Sequence, residues 1–356
     1  MCSLRSSVKI LISSVIIAAV LADALLVAQS AKVANNMESS KKVDAIRVGY
    51  FPNINHAVPI IGIARDSFKE AFPDVEIKTT IFNAGPFAIE ALFADQIDLA
   101  YVGPNPAING YVKSGGALKV IAGAANGGAV FVVRNDSGIN SEGDFAGKTF
   151  ASPQLGSTQD VALRAYILGK GYKLADQGGN VRIIPVQNPD ILTLFLKKEL
   201  DGAWVPEPWG ARLVREADGR IFLDERQLWP EGKFVTALII ARTNFLEEHP
   251  GLVEKWLRVQ VDVVQWINDN KAEASKILNG EIKKMTGLSL NEDVLKDAMG
   301  RIEITYDPVK QSLLKSAEDA YKLGYLGDKK PDLSNIYDLR MLNKVLAEKK
   351  MQQIQE

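Results

Sequence analysis

Short β-type runs alternate with helical stretches along most of this chain, and this alternation limits its possible folds more than any other feature. Between residues 45 and 134 the runs predict strands at 46–51, 75–82, 97–102, 118–124 and 129–134. Apolar residues at helical spacing predict helices between them, at 57–72, 86–94 and 106–113. Such a succession of strand–helix–strand units predicts an α/β sheet with helices on both faces.

A second α/β set follows the first, and a helical tail follows the second. The predicted strands are at 148–151, 181–186, 202–205, 220–223 and 235–242, and the helices at 158–170, 189–197 and 208–216. After Thr243 the pattern is helical, near 250–269, 271–279, 291–300, 308–323 and 335–350. Two successive α/β sets indicate two lobes with a cleft between them. Because ligands of open α/β sheets bind beyond the carboxyl ends of the strands, residues that follow each strand are the first site candidates.

The first thirty-one residues have the pattern of an export signal. Arg5 and Lys9 precede an apolar run at 10–28, and small residues follow that run. This pattern favours cleavage after Ser30 or Ala31. The protein is therefore expected outside the cytoplasm, in the periplasm or at the outer face of the cell membrane.

An uncleaved membrane anchor is the alternative interpretation of residues 1–31. The apolar run at 10–28 is long enough to span a bilayer as a helix. Asp23 weakens this alternative, because a carboxylate inside the bilayer costs about 2–3 kcal/mol or more. The polar segment 32–44 is typical of a tether in either case.

Composition excludes several classes of site. Lys plus Arg total 42 and Asp plus Glu total 43, so the formal charge of −1 argues against a basic face for nucleic acid. The chain has one cysteine, Cys2, and two histidines, His56 and His249. This scarcity excludes a disulfide framework, a Cys/His zinc site and a Cys/His catalytic centre. The sequence therefore predicts capture of a small molecule without a metal, a cofactor or an enzymatic step.

The loops after the strands of the first set carry small and neutral polar residues. Asn53, Asn55 and His56 offer neutral donors, although Asn55 alternatively serves only to cap a helix. Gly85 begins a helix, and the free N–H groups and dipole of a helix start suit an anion. Gly127 either brings bare backbone to the cleft or forms a turn. The ligand-binding residues predicted in this set are Tyr50, Asn53, His56, Gly85, Pro86, Asn105 and Gly127.

Two segments of the second set are candidates as well. The loop at 154–158 offers hydroxyl and N–H groups at a helix start, or else Ser157 is an ordinary helix cap. In 201–209 two tryptophans flank Glu207, which lies between two prolines in a rigid turn. An indole is an apolar platform with one N–H donor, but the tryptophans alternatively belong to the core. Glu207 either pairs with a cation of the ligand, orients backbone or closes the cleft. The ligand-binding residues predicted in this set are Gln154, Ser157, Thr158, Trp204, Glu207 and Trp209.

Four motifs occur in this order along the chain: IRVGYFPN, FNAGPFAIEALFADQIDLAYVGPNPAI, PQLGSTQDVALR and DGAWVPEPW. With these motifs the chain resembles the solute-binding proteins of ABC importers, in particular their nitrate, sulfonate and taurine branch, which includes thiamine-precursor binders. The resemblance implies the bilobed periplasmic-binding-protein fold of type II, with two crossings between lobes, near 134–144 and 228–235. Lobe one would be 45–134 plus 235–356, and lobe two 135–234.

The resemblance also implies where the ligand binds. The family contacts carried over to this chain are Asn53, His56, Gly85, Pro86, Asn105, Ser157, Thr158, Trp204 and Glu207. Since these loops contain no Arg or Lys, an anion would depend on N–H donors, hydroxyl groups and helix ends. That environment suits a sulfonate at least as well as a phosphate.

The leading functional hypothesis is an extracytoplasmic, monomeric, non-enzymatic receptor that closes on a small organic anion, an aliphatic sulfonate in particular, and presents it to a membrane permease with its ATPase. The alternatives are a receptor for nitrate, taurine or a thiamine-precursor pyrimidine, and a membrane-tethered sensory module. An enzyme like the pyrimidine-synthesising relatives would need a cysteine-rich segment, which is missing after Cys2. A transcription regulator would lack an export signal.

Overall fold

The computed structural model describes residues 43–355, so the predicted export signal or anchor and nearly all of the tether lie outside the described residues. The strands are β1 (Ala45–Tyr50), β2 (Glu76–Ile81), β3 (Leu99–Val102), β4 (Leu118–Gly127), β5 (Ala129–Arg134), β6 (Thr149–Ser152), β7 (Arg182–Pro185), β8 (Gly202–Pro206), β9 (Gly219–Asp224), β10 (Val235–Arg242) and β11 (Ile302–Ile304). The helices are α1 (Ala57–Ala64), α2 (Ser67–Ala71), α3 (Gly85–Phe93), α4 (Pro104–Lys113), α5 (Thr158–Gly169), α6 (Asn188–Leu196), α7 (Trp209–Glu216), α8 (Thr243–Glu248), α9 (Pro250–Asp269), α10 (Lys271–Thr286), α11 (Glu292–Met299), α12 (Lys310–Lys322) and α13 (Arg340–Glu348). Within residues 43–355, no helix combines the length and the apolar character needed to cross a bilayer.

The first sheet has six strands in the order β11-β4-β10-β3-β1-β2. β1 pairs in parallel with both β2 and β3, whereas β10 runs antiparallel to β3 and β4. Because β1, β2 and β3 point the same way, the loops that follow them meet at one edge of this sheet.

The second sheet has five strands in the order β7-β6-β8-β5-β9, and β6 is parallel to both β7 and β8. Successive side chains along β5 point to opposite faces of this sheet. Val130 and Val132 belong to an apolar cluster that includes Trp209, whereas Phe131 and Val133 belong to another that includes Trp204. Two sheets with helices packed against them confirm the predicted α/β class.

One strand lies in a different sheet from the one predicted. The prediction placed β5 in lobe one and the first crossing at 134–144, but β5 pairs with β8 and β9 of the second sheet. Gly127 and Gly128 have φ of 70° and 72°, which lets the chain turn directly from β4 into β5. A Cβ atom on Gly127 would lie 2.6 Å from the carbonyl oxygen of Arg301, so the turn also needs a residue without a side chain.

The helical tail also contains a strand that was not predicted. β11 pairs antiparallel with β4 at the edge of the first sheet. Three residues are too few for their periodicity to distinguish a strand from a helix or a loop.

We propose to divide the chain where it passes between the two sheets. The passages lie at Gly127–Gly128 and in the segment 225–234 between β9 and β10. Lobe one then consists of 44–127 plus 235–355, and lobe two of 129–224. These definitions are used below.

Candidate functional site

A cavity of about 40 Å³ lies between the loops that follow the parallel strands of the two sheets. Lobe one contributes the loops after β1, β2 and β3 and one residue of β10, and lobe two contributes the loops after β6 and β7 and the last residue of β8. Among the described residues that line the cavity, none carries a charged side chain. The lining residues are Phe51, Asn53, Asn55, His56, Asn83, Ala84, Gly85, Gly103, Pro106, Pro153, Ser157, Thr158, Gln159, Asn188, Pro206 and Thr236.

Helix N-termini from both lobes converge on this cavity. α3 begins at Gly85 and α4 directly follows Gly103, while α5 begins at Thr158 and α6 at Asn188. The first N–H groups of a helix have no acceptor within that helix, and the dipole places about half a positive charge there. The cavity therefore has a positive potential without a cationic side chain, which suits an anion.

His56 contributes a neutral donor to the cavity. Its Nδ1 accepts a hydrogen bond from the backbone N–H of Phe51 at 3.4 Å, so Nε2 carries the proton of the neutral ring. Complete burial lowers the pKa of His56 to about 3, which keeps the ring neutral at physiological pH. The Nε2 atom is buried and has no hydrogen-bond partner within residues 43–355. It is therefore available to a ligand oxygen.

Thr158 is a second unpartnered group, and it lies opposite Gly103 of the other lobe. Its Oγ1 is buried without a hydrogen-bond partner among the described residues. A Cβ atom on Gly103, which belongs to lobe one, would overlap this Oγ1. Glycine is therefore required at position 103 for the two lobes to come this close.

Two amides complete the polar lining. The Nδ2 of Asn55 donates to the carbonyl oxygen of Thr236 at 3.4 Å, and its Oδ1 is buried without a partner in the described chain. The Oδ1 of Asn188 is likewise buried and unpartnered within that part of the chain. These oxygens can accept a hydrogen bond from a ligand that carries a donor.

The structure brings some of the predicted site residues together at the cavity and places the others elsewhere. Those that line it are Asn53, His56, Gly85, Ser157 and Thr158. Those that lie outside its lining are Tyr50, Pro86, Asn105, Gly127, Gln154, Trp204, Glu207 and Trp209.

Trp204 lies in the core of lobe two rather than at the cavity. Its side chain is fully buried and stacks on Phe131 with a centroid distance of 5.4 Å. Its Nε1 donates to the carboxylate of Glu225 at 2.7 Å. The indole is directed away from the cavity because β8 is buried on both faces, and one of those faces is an aromatic cluster.

Glu207 is occupied by protein partners. Its Oε1 lies 2.5 Å from Nε of Arg301, and its Oε2 accepts the backbone N–H of Ala211 at 2.9 Å. Burial raises the pKa of Glu207, and the guanidinium of Arg301 opposes that effect. Two of the three roles predicted for Glu207 fit these contacts: its Oε2 orients the backbone at Ala211, and its Oε1 pairs with Arg301 of lobe one across the boundary between the lobes.

Trp209 does not line the cavity but contacts a residue that does. Its Nε1 donates to Oδ1 of Asn53 at 3.1 Å, across the boundary between lobes. Asn53 itself lines the cavity. Trp209 is thus a positioning residue for a lining side chain.

The remaining predicted residues do not line the cavity, and each lies in a different part of the fold. Tyr50 is buried in lobe one, and Gly127 forms the turn into β5. Asn105 and Gln154 each have a buried side-chain oxygen without a partner in the described region, yet neither borders the cavity. Pro86 lines an adjoining groove instead.

Several lining residues were missed. Asn188 follows β7 by three residues, so the rule about strand ends could have found it. Thr236 lies inside β10, an antiparallel strand, and no motif marks it. Gly103 occurs in a quoted motif, but nothing in the sequence shows that Thr158 lies opposite it.

Among residues 43–355, no cluster of His, Cys, Asp and Glu side chains is arranged to hold a metal ion.

The chain is similar to binding proteins of known families. The NMT1-like family matches residues 39–279. A Bacillus subtilis protein named for aliphatic sulfonate binding is 27% identical over 316 residues, which cover 86% of this chain and 90% of that protein. The taurine-binding periplasmic protein of Escherichia coli is 24% identical over 267 residues, which cover 72% of this chain and 79% of that protein.

A solved structure shares the fold. The alkanesulfonate-binding protein SsuA from Xanthomonas axonopodis pv. citri, solved with bound MOPS, has a TM-score of 0.68 at 18% sequence identity. The match covers 81% of this chain and 96% of that chain. It confirms the predicted bilobed fold. Each protein named here is a binding protein, in agreement with the prediction of a non-enzymatic receptor.

Proposed function

The chain belongs to the NMT1-like family, and we propose that it is the solute-binding component of an ABC importer that captures an aliphatic sulfonate by closing its two lobes. The convergence of helix N-termini on an uncharged cavity carries this proposal. A sulfonate spreads one negative charge over three oxygens, and each oxygen can accept N–H and O–H donors. Backbone N–H groups, His56 Nε2 and the Thr158 hydroxyl are donors of that kind.

Closure is supported by the contacts between the lobes. Asn83 Nδ2 donates to Gln187 Oε1 at 3.0 Å, and the Tyr325 hydroxyl donates to Asp160 Oδ2 at 2.8 Å. A ligand that contacts both lobes binds this arrangement better than an open one and therefore shifts the equilibrium toward it. The closed form is the one that a membrane permease with its ATPase would receive.

The proposal also covers the setting of the protein. It works outside the cytoplasm as a monomer, either free after cleavage of the export signal or anchored by it. If it is anchored, a membrane-tethered sensory module becomes the alternative role.

Taurine is a second candidate ligand, favoured by a specific observation. The Oδ1 atoms of Asn55 and Asn188 are unpartnered acceptors, and the ammonium of taurine is a donor. The E. coli relative is a taurine-binding protein. Nitrate and thiamine-precursor pyrimidines remain outcomes of the test below.

Calorimetry with the purified protein tests the proposal. The panel is butanesulfonate, taurine, nitrate and a hydroxymethylpyrimidine. We expect submillimolar binding of butanesulfonate, with taurine as the next best ligand. If none of the anions binds below millimolar concentration, the proposed function is wrong. Submillimolar binding of the pyrimidine alone would also overturn it.

A pair of threonine variants tests whether the sulfonate binds at the cavity. Thr158→Val removes the unpartnered hydroxyl with little change of shape, and the affinity should fall by about tenfold because a hydrogen bond to a charged group is lost. Thr193→Val is the matched control, since Thr193 is exposed on α6 and its hydroxyl donates to its own helix, to the Pro189 carbonyl at 3.1 Å. Equal affinities of the two variants would remove Thr158 from the site.

A further inference from the structure

The carboxylate of Asp160, in the first turn of α5, is fully buried and holds the loop that precedes this helix. Its Oδ1 accepts a hydrogen bond from the Ser152 hydroxyl at 2.7 Å, and its Oδ2 accepts one from the backbone N–H of Gly156 at 3.0 Å. Ser152 is the last residue of β6, and Gly156 lies two residues before α5. One side chain therefore fixes both ends of the segment 152–156, which leads into the cavity-lining start of α5.

The charge of Asp160 is balanced inside lobe two. Arg164 lies one turn further along α5, and its Nε donates to Oδ1 of Asp160 at 3.0 Å. A buried carboxylate needs such a partner, because an unpaired charge in the interior of a protein is costly. Since both residues lie on the same helix, this ion pair does not depend on closure of the lobes.

One further donor to this carboxylate comes from the other lobe. The hydroxyl of Tyr325 donates to Oδ2 of Asp160 at 2.8 Å. Tyr325 follows α12 of lobe one, and α12 packs against α5 of lobe two. Burial and the negative charge of Asp160 raise the pKa of Tyr325 above its usual value, so the hydroxyl stays protonated and remains a donor at physiological pH. An opening of the lobes that separates α12 from α5 breaks this bond.

Tyr325 and the backbone N–H of Gly156 bind the same carboxylate oxygen. A carboxylate oxygen has two lone pairs and can accept both donors at once. With Tyr325 bound, groups of both lobes hold the side chain of Asp160 and, through it, the loop before α5. Without Tyr325, this carboxylate keeps only its partners in lobe two.

We propose that Tyr325 is a positioning residue for the ligand site: on closure its hydroxyl binds Asp160 and fixes the loop that places the start of α5 against the anion. This inference rests on the proposed function, since it assigns a task within that same site. Tyr325 itself does not line the cavity. Its contribution to affinity therefore passes through Asp160 and arises in the closed form, which the ligand stabilises.

Tyr325→Phe tests the inference, because it removes the hydroxyl and keeps the ring. The closed form loses a hydrogen bond to a charged group, so the affinity for butanesulfonate in calorimetry should fall by about tenfold. Because the ligand enters the open form, the dissociation rate in stopped-flow fluorescence should rise by the same factor, and the association rate should change by less than about twofold. Unchanged affinity and an unchanged dissociation rate would overturn the inference, although the proposed function would stand.

Tyr321→Phe is the matched control. Tyr321 lies on α12, and its hydroxyl donates at 3.2 Å to the Asp328 carbonyl, within lobe one. This variant should bind butanesulfonate as the wild type does. An equal loss of affinity in the two tyrosine variants would show that the bond to Asp160 is not the cause. If the wild type binds no sulfonate, the proposed function fails and the inference fails with it.

A double variant with Thr158→Val distinguishes positioning of the loop from closure alone. If Tyr325 positions the start of α5, the Thr158 hydroxyl is misplaced in Tyr325→Phe. Adding Thr158→Val should then weaken binding by less than the about tenfold loss that it causes in the wild type. Losses that multiply in full would show that Tyr325 does not act through this loop, and they would overturn the inference.

Discussion

Two strand-to-helix junctions of lobe two have the same topology and different contacts. Between β6 and α5, Ser157 and Thr158 present small hydroxyl groups to the cavity. At the junction of β8 and α7, only Pro206, the last residue of β8, borders the cavity, whereas Glu207 and Trp209 contact protein groups. Small residues leave space for a ligand beside the helix start, and large residues fill that space and hold the surroundings in place.

The two junctions differ in the side chain that accepts the N–H groups at the start of the helix. At the α5 junction, Ser157 caps the helix by accepting the Asp160 N–H at 3.3 Å, and Thr158 remains free toward the cavity. At the α7 junction, the carboxylate of Glu207 accepts the Ala211 N–H, so a protein anion already occupies that helix start. The difference teaches that a helix start capped by a neutral hydroxyl can still take an anionic ligand, whereas a helix start whose N–H bonds a carboxylate already has its anion.

The largest expected effect is a loss of stability when a large buried side chain near the β8–α7 junction is removed. Trp204→Ala removes a fully buried indole that stacks on Phe131 and donates to Glu225. The free energy of unfolding, measured by urea denaturation, should fall by about 3–5 kcal/mol. Thr158→Val at the other junction should lower it by less than about 1 kcal/mol. If Trp204→Ala kept its stability and lost affinity for the ligand instead, Trp204 would be a ligand contact and the difference between the two junctions would not hold.

The next effect is a pH dependence of stability that has opposite signs at Glu225 and at His56. Glu225 is buried and accepts hydrogen bonds from the Nε1 atoms of Trp204 and Trp229, and burial raises its pKa to about 7. Between pH 4.5 and 7 the folded protein keeps a proton that the unfolded chain has released, so stability falls as pH rises. Burial lowers the pKa of His56 to about 3, so its contribution falls as pH decreases below about 6.5.

Glu225→Gln isolates the first of these contributions. The difference in unfolding free energy between the wild type and the variant should change by up to about 3 kcal/mol between pH 4.5 and 7. The variant should then show more clearly the loss of stability at low pH that His56 causes. Urea denaturation at intervals of half a pH unit measures both profiles. Parallel profiles for the two proteins would show that Glu225 does not titrate in this range.

The sequence predicts the class of fold and much of the strand order along the chain, because alternating periods of two and 3.6 residues record local structure. It does not predict which sheet a strand joins. The run at Ala129–Arg134 is apolar in its first five residues, and such a run fits a central strand of either sheet. Only the turn at Gly127–Gly128 decides the matter, and a glycine pair is equally consistent with a longer excursion.

The sequence likewise predicts only part of the candidate site. The rule about strand ends locates His56, Gly85 and Thr158, because the direction of parallel strands fixes where their loops meet. It fails at Trp204, since the strand Gly202–Pro206 is buried on both faces and its sequence has no alternation that shows where each side chain points. Contacts between lobes, such as Gly103 with Thr158, depend on the packing of whole domains and leave no local pattern.

The smallest expected effect tests whether the α7 junction acts on the cavity at a distance. Trp209→Phe keeps the apolar bulk and removes the N–H that holds Asn53 Oδ1 at 3.1 Å. Loss of one neutral hydrogen bond is worth about 1 kcal/mol or less, so affinity for butanesulfonate should fall by about threefold, with little change in stability. Asn53→Ala should weaken binding as well, and the double variant should be no weaker than Asn53→Ala alone, because Trp209 acts through Asn53. Additive losses would instead mean that Trp209 meets the ligand directly, and the two junctions would then share one role.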